Sequence, residues 1–248
     1  MKVVAVIPSR FGSSRFEGKP LVSIAGKPMI QRVYDLAMQA RSVHEVVVAT
    51  DHEAIYNLVA SFGGRVIMTA PEHRSGTDRI AEAVGNMGLE ENDIVINIQG
   101  DQPNFPPPIL EQVIRPLLES PDFPMATLVN RMNDPSEIRH PNFVKTIIDH
   151  EGFAIYFSRS VIPFSRQGLG HAVYFKHLGF YSYRRHFLRT FAALPEGTLE
   201  ASEKLEQLRA LEFGYKIKVV ETEYDSIEVD TLEEARKAEK MILSSGAA

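Results

Sequence analysis

The sequence predicts an α/β protein: a mostly parallel sheet with helices on both faces, joined to a smaller mixed α/β lobe. Short β-branched runs alternate with helix-period segments through residues 3–98, the rhythm of successive βα units. The first run, at 3–7, is continuously apolar, as expected of a strand covered on both faces. Beyond residue 142 the pattern changes to a hairpin and a long strand, which suits antiparallel strands added to a parallel sheet.

Taken in order, residues 3–7 read as a strand and 29–40 as a helix, with Ile30, Val33, Tyr34 and Ala37 on one face. Residues 45–49 form a strand, and 53–62 a helix closed by Gly63-Gly64. A short strand at 66–68 precedes a helix at 78–87, whose apolar stripe is Ile80, Ala83, Val84 and Met87. A third long strand covers 93–98. Strands at 144–148 and 153–157 flank the turn Asp149-His150-Glu151-Gly152. A strand at 174–183, a helix at 202–211, a strand at 216–220 and a closing helix at 232–243 complete the pattern. No repeat or low-complexity tract interrupts it. A soft boundary falls at 130–142, and the last residues, 244–248, fray.

With 248 residues, the chain is long enough for a self-sufficient core. The hydrophobic fraction of 44% and charged fraction of 24% exclude a wholly disordered chain. The net charge of −5 argues against general nucleic-acid binding, which needs an excess of cations. The absence of cysteine removes disulfides, thiolate metal sites and cysteine nucleophiles, and fits a reducing cytoplasm. No apolar run approaches the ~18 residues that span a bilayer. The N-terminal apolar stretch is too short for a secretory leader and runs into Pro8 and Arg10, so it reads as a buried strand.

Candidate chemistry sits after predicted strands. The loop Pro8-Ser9-Arg10 through Arg15 to Gly18-Lys19-Pro20 gathers three cations among glycines and serines, as a triphosphate requires. It is neither a Walker A loop nor a dinucleotide fingerprint. In Gln99-Gly100-Asp101-Gln102-Pro103, Asp101 stands at a strand end, where it serves either Mg²⁺ or an Asx-turn. Asp230, before the last helix, either caps that helix with Glu233 or shares a metal with Asp101. His73-Arg74-Ser75-Gly76-Thr77-Asp78-Arg79 joins a strand to a helix and suits a ligand-facing loop, although Thr77 suits a plain N-cap. His177 and Tyr181 share one strand face by period two, while Glu206 and Gln207 sit mid-helix. Together with Arg159, these form a further set whose members singly read as structural or exposed. Neither a hydrolase elbow nor a zinc motif is present.

Together these motifs, with Ala49-Thr50-Asp51, Tyr156-Phe157-Ser158-Arg159, Lys176-His177-Leu178-Gly179, Leu205-Glu206-Gln207-Leu208-Arg209 and Val229-Asp230, resemble the 3-deoxy-manno-octulosonate cytidylyltransferases, the CMP-Kdo synthetases of lipopolysaccharide assembly. The match runs in order from Pro8 to Asp230. The resemblance implies a nucleotidyltransferase-type, Rossmann-like α/β fold in one domain over 1–248. The nucleotide part would lie mainly in 1–130 and 216–248, and a sugar-binding and dimerisation lobe in about 131–215. It implies a cytoplasmic homodimer using CTP and Mg²⁺. Pro8, Ser9, Arg10, Arg15 and Lys19 would take the triphosphate end, and Arg74, Ser75, Gly76, Thr77, Arg79 and Gln99 the cytidine. Asp101 and Asp230 would hold the metal, and Arg159, His177, Tyr181, Glu206 and Gln207 the acidic sugar. Asp101, Lys19, Arg10 and Asp230 would be the catalytic groups.

This chain departs from the family pattern in three places. Phe16-Glu17-Gly18-Lys19-Pro20 replaces Leu-Pro-Gly-Lys-Pro, Gln-Gly-Asp-Gln-Pro replaces Gln-Gly-Asp-Glu-Pro, and Asp225-Ser226-Ile227-Glu228-Val229-Asp230 replaces a Gly-Val-Asp stretch. The last two resemble a subgroup that activates the 8-amino-3,8-dideoxy analogue of Kdo. A nucleotide-sugar glycosyltransferase and a non-enzymatic nucleotide-binding regulator are the rival readings.

Overall fold

A computed structural model describes residues 1–12 and 16–244. In chain order its elements begin with β1 (Val3–Ser9), β2 (Ser23–Ile24), β3 (Lys27–Pro28), α1 (Met29–Met38) and β4 (Glu45–Thr50). There follow α2 (Glu53–Ser61), β5 (Val66–Met68), α3 (Gly76–Gly85), β6 (Ile94–Asn97), α4 (Pro108–Glu119) and β7 (Met125–Met132). Then come α5 (Pro135–Arg139), β8 (Lys145–Ile148), β9 (Ala154–Ser158) and β10 (Tyr174–Arg184). The chain closes with α6 (Arg185–Ala193), α7 (Thr198–Glu203), α8 (Gln207–Glu212), β11 (Lys218–Glu221) and α9 (Leu232–Ser244).

One large sheet has the strand order β11-β7-β10-β6-β1-β4-β5. Its neighbours are parallel except around β10, which runs antiparallel to both β6 and β7. The β8–β9 hairpin attaches to the first half of β10. The mostly parallel α/β architecture expected from sequence is therefore the one found.

The continuous apolar run of β1 is explained by burial on both faces. Val3, Ala5 and Ile7 pack into one core cluster, which also takes residues from α1, α2 and α4. Val4 and Val6 enter the cluster on the other face, with residues from α3, α6 and α8. α2 stops at the predicted glycines: Gly63 has φ of +78°, and Gly64 N–H donates to Val59 O at 2.9 Å. These are the left-handed residue and the six-to-one bond of a Schellman stop. In the predicted hairpin turn, Asp149 Oδ1 accepts from the N–H of Glu151 and of Phe153.

Two expectations need correction. The single helix at 202–211 is two short helices, α7 and α8, separated by Lys204 in the left-handed conformation with φ of +54°. Glu206 therefore stands at the N-cap of α8 rather than mid-helix. Moreover, α4, β7 and α6 lie outside the predicted elements. Pro106-Pro107-Pro108 reads as a breaker in isolation, yet Pro108 opens α4, because the first helical turn has no use for its N–H.

The topology positions a crevice. β1 is flanked by β4 on one side and β6 on the other, both parallel to it. Chain segments leaving the C-terminal ends of β1 and β6 therefore diverge from adjacent points, where open α/β sheets bind ligands.

Candidate active site

At that crevice lies an open cleft of about 290 Å³, lined by Pro8, Ser9, Arg10, Lys19 and Pro20, by His73 to Gly76 and Arg79, and by Gln99 to Asp101 with Asp230. The loop after β1, the loop before α3, the loop after β6 and the segment before α9 thus converge, although they are far apart in sequence.

Two carboxylates meet there because backbone pairing draws their loops together. Val229 N–H donates to Asp101 O at 2.9 Å. Lys19 Nζ then bridges the pair, donating to Asp101 Oδ2 at 2.7 Å and Asp230 Oδ1 at 3.1 Å. Burial alone would lower the Lys19 pKa, but Asp101 and then Asp230 outweigh it and raise the net value. The cap of α9 is Thr231, whose Oγ1 accepts from Glu234 N–H at 3.2 Å, while Glu234 Oε2 accepts from Asp230 N–H at 2.8 Å. Asp230 with Glu233 therefore does not form the capping pair, and the Asp230 carboxylate turns instead to Lys19.

Glu228 adds a third acid that sequence reasoning did not single out. It opens to solvent beside Asp101 and Asp230. Protein still crowds its carboxyl, and burial first, then Asp101 and Asp230, push it up to about 7. The visible signal was its place in the unusual 225–230 stretch. Asp101 and Asp230, two carboxylates that already reach a single cationic nitrogen, make a hard-oxygen pair. Asp101 and Asp230 thus fit a small divalent cation.

The loop before α3 divides its labour. Ser75 is the N-cap, accepting from Asp78 N–H at 3.1 Å. Thr77 does not cap the helix; it is fully buried and its hydroxyl donates to Glu206 Oε2 at 2.6 Å. Arg79 lines the cleft, but its guanidinium donates to Asp51 Oδ2 at 2.7 Å and is nearly fully buried. Arg74 is exposed and lies 4.0 Å from Asp78. Gln99 Nε2 reaches Asn97 Oδ1 at 3.4 Å. Arg15 lies outside the described residues.

The acceptor-side candidates cluster around β10. Its pairing with β7 jumps between His177 and Tyr181, so Leu178, Gly179 and Phe180 bulge opposite Leu128. An even number of extra residues preserves the face, and the His177 and Tyr181 rings lie 5.2 Å apart. His177 Nε2 contacts Thr127 Oγ1 at 3.0 Å, and that hydroxyl donates to Phe180 O at 2.7 Å. Burial holds the His177 imidazole neutral, with its pKa lowered to about 3. Burial also raises Tyr181 and Glu206, the latter opposed by bonds from Ser75 and Thr77. Glu206 Oε1 and Gln207 Nε2 are buried without hydrogen-bond partners among the described residues. Arg159 is held away from the cleft lining, with Nε on Glu203 O at 2.9 Å and Nη1 on Pro141 O at 3.2 Å.

A parallel α/β sheet with a polyanion-sized, cation-lined crevice and a carboxylate pair at its mouth is the architecture of a nucleotide-activating transferase. The sequence matches the cytidylyltransferase family profile over residues 4–217, and the chain belongs to that family. It is 55% identical to 3-deoxy-manno-octulosonate cytidylyltransferase of Syntrophus aciditrophicus, covering 98% of each chain. It is 52% identical to 8-amino-3,8-dideoxy-manno-octulosonate cytidylyltransferase of Shewanella oneidensis, covering 98% of this chain and 99% of the relative. A solved structure of CMP:2-keto-3-deoxy-manno-octonic acid synthetase in complex with CTP superposes with a TM-score of 0.92 at 41% identity, over 99% of this chain and 100% of the other. Within the family the chain belongs with the 3-deoxy-manno-octulosonate cytidylyltransferases, enzymes of the nucleotidyltransferase class. A 4-diphosphocytidyl-2C-methyl-D-erythritol synthase from Anaerococcus prevotii, at 13% identity and a TM-score of 0.61, shares the fold. Among the described residues no helix is long and apolar enough to cross a membrane.

Proposed function

We propose that this enzyme transfers CMP from CTP to the anomeric hydroxyl of an acidic octulosonate sugar, Kdo or its 8-amino-3,8-dideoxy analogue, releasing pyrophosphate and supplying lipopolysaccharide assembly. The observation that carries the reading is Lys19 bridging Asp101 and Asp230 at the mouth of the cleft that Arg10 and Arg74 also line. The names of the full-length relatives and the CTP complex of the similar structure support the same substrates.

In this reading the sugar hydroxyl attacks the α-phosphorus in line, and the chemistry needs positioning and charge stabilisation rather than a covalent nucleophile. Arg10, Arg15 and Lys19 neutralise the triphosphate and the departing pyrophosphate. Pro8, Ser9, Arg74 to Thr77, Arg79 and Gln99 surround the nucleoside. Arg79 contributes through its pairing with Asp51, which braces the loop. Asp101 and Asp230 would hold Mg²⁺, which would supply Lewis-acid stabilisation of phosphate charge. His177, Tyr181, Glu206 and Gln207 orient the sugar, with Glu206 tied to the nucleotide loop through Thr77, and Arg159 pairs with the sugar carboxylate. The segment from about 131 to 215 carries sugar binding and dimerisation. Phe164, Ile155 and Val173 in that segment are exposed large apolar residues. The enzyme works in the cytoplasm, where CTP is made.

The test is pyrophosphate release from CTP and Mg²⁺ with Kdo and with its 8-amino analogue in parallel, alongside UTP, ATP and GTP as competitor nucleotides. Release that requires CTP and either sugar is expected; release with neither sugar overturns the reading. Light scattering on the purified protein should give twice the chain mass.

A further inference from the structure

We propose that Glu228 selects an acceptor sugar bearing a cationic amine, with Gln102 as the neutral neighbour that makes this selection workable. The proposal rests on the cytidylyltransferase reading and narrows its acceptor. Gln102 is fully buried behind the cleft, and its Nε2 donates to Leu178 O at 2.9 Å and lies 3.5 Å from Glu228 Oε1. A glutamate at 102 would set two carboxylates against each other at that distance, so the two departures from the family pattern are physically one exchange.

The β10 bulge brings Gly179 beside this pair. Gly179 has φ of +72°, and a Cβ there would stand 3.7 Å from Glu228 Oε1, Gln102 Nε2 and Gln99 Cγ alike. Three polar side chains therefore converge on the place where any other residue would put a side chain. Gln102 Oε1 is buried with no hydrogen-bond partner among the described residues. A carboxylate that opens to solvent here suits a positively charged group, and an ammonium brings three donors to it. Lys176, which also feels Glu228, is already committed to Asp225 at 2.8 Å.

The pair stands between the two halves of the site. Glu228 is electrostatically close to Asp101 and Asp230 on one side and to Tyr181 on the other. In a pyranose octulosonate the anomeric carbon and the carbon bearing the two-carbon tail flank the same ring oxygen. A tail amine can therefore fold back toward the side where the anomeric hydroxyl meets the phosphate. A tail hydroxyl placed there gains no ion pair from Glu228, so an acceptor lacking the amine misses that attraction and is turned over no better than without the carboxylate.

The experiment compares kcat/KM for Kdo and for 8-amino-3,8-dideoxy-Kdo, with saturating CTP and Mg²⁺, in the native enzyme, Glu228→Gln and Glu228→Gly. The native enzyme should prefer the amino sugar by about tenfold or more. Either substitution should lower kcat/KM for the amino sugar by about tenfold, leave Kdo within about threefold, and leave the Mg²⁺ half-saturation and KM for CTP unchanged. Equal loss on both sugars, a shifted Mg²⁺ requirement or an unaltered ratio overturns the assignment. Turnover of Kdo alone by the native enzyme overturns it while leaving the cytidylyltransferase reading intact. No turnover of either sugar removes both. Two variants of different size, each checked by thermal melting, separate selection from misfolding.

Discussion

The two halves of the site recognise by different physics. The nucleotide half presents exposed cations, Arg10 and Arg74, on an open cleft that Pro8 and Ser9 at the end of β1 also line. The acceptor half is largely buried: a neutral imidazole at His177, a phenol at Tyr181 and a carboxyl at Glu206 whose pKa burial pushes upward. Charge in an open cleft attracts a triphosphate strongly and tolerates small displacements. Buried hydrogen bonds give less raw attraction but punish a wrong group heavily, because an unpaired buried partner is costly. The triphosphate is thus met by charge in the open, and the sugar by buried hydrogen bonds, with Glu228 at the junction of the two halves.

This contrast can be broken or sharpened by substitution. The largest effect belongs where the halves meet: Asp101→Asn should lower turnover by ~10²-fold or more in steady-state pyrophosphate release, with folding retained. Near-native turnover would remove Asp101 from the chemistry. Next is Thr77→Val, which deprives buried Glu206 of its 2.6 Å donor. Losing one of its donors, with Ser75 retained, should cost about 1 kcal/mol in urea unfolding, and KM should rise for both substrates because Thr77 touches both halves. A rise confined to CTP would show that the halves are not coupled there.

His177 gives a pH signature. Its folded pKa is lowered to about 3 by burial, against an ordinary value of 6.5. The unfolded chain takes up the proton first, so stability is unaffected above about pH 6.5 and falls as pH drops from there toward 3. The slope from this group approaches about 1.4 kcal/mol per pH unit. His177→Asn should flatten that part of the urea-midpoint profile; an unchanged slope would mean that His177 does not titrate as a buried neutral group. The smallest effect is expected from Arg10→Ala, with CTP affinity reduced about tenfold by calorimetry and the loss shrinking at high salt, since the exposed charge is screened. A salt-independent loss would argue that Arg10 acts by fixed geometry instead.

Much of the fold is determined by local pattern alone. The unbroken apolar run of β1, the stripe of α1 and the Gly63-Gly64 stop need only burial on two faces, on one face, and a positive φ. The cations of the post-strand loops and Asp101 were likewise evident, because a charged cluster after a buried strand has few uses except binding. Tertiary structure alone decided the rest. It placed β10 antiparallel between β6 and β7, split the helix at Lys204, and turned a proline cluster into the start of α4. It also chose Thr231 over Asp230 as the cap of α9, leaving Asp230 to meet Lys19, and brought Gln102 to Glu228 across a separation of 126 residues. Propensity and periodicity report what one segment prefers. Which of two adequate partners a carboxylate takes depends on groups that only folding brings within a few ångströms.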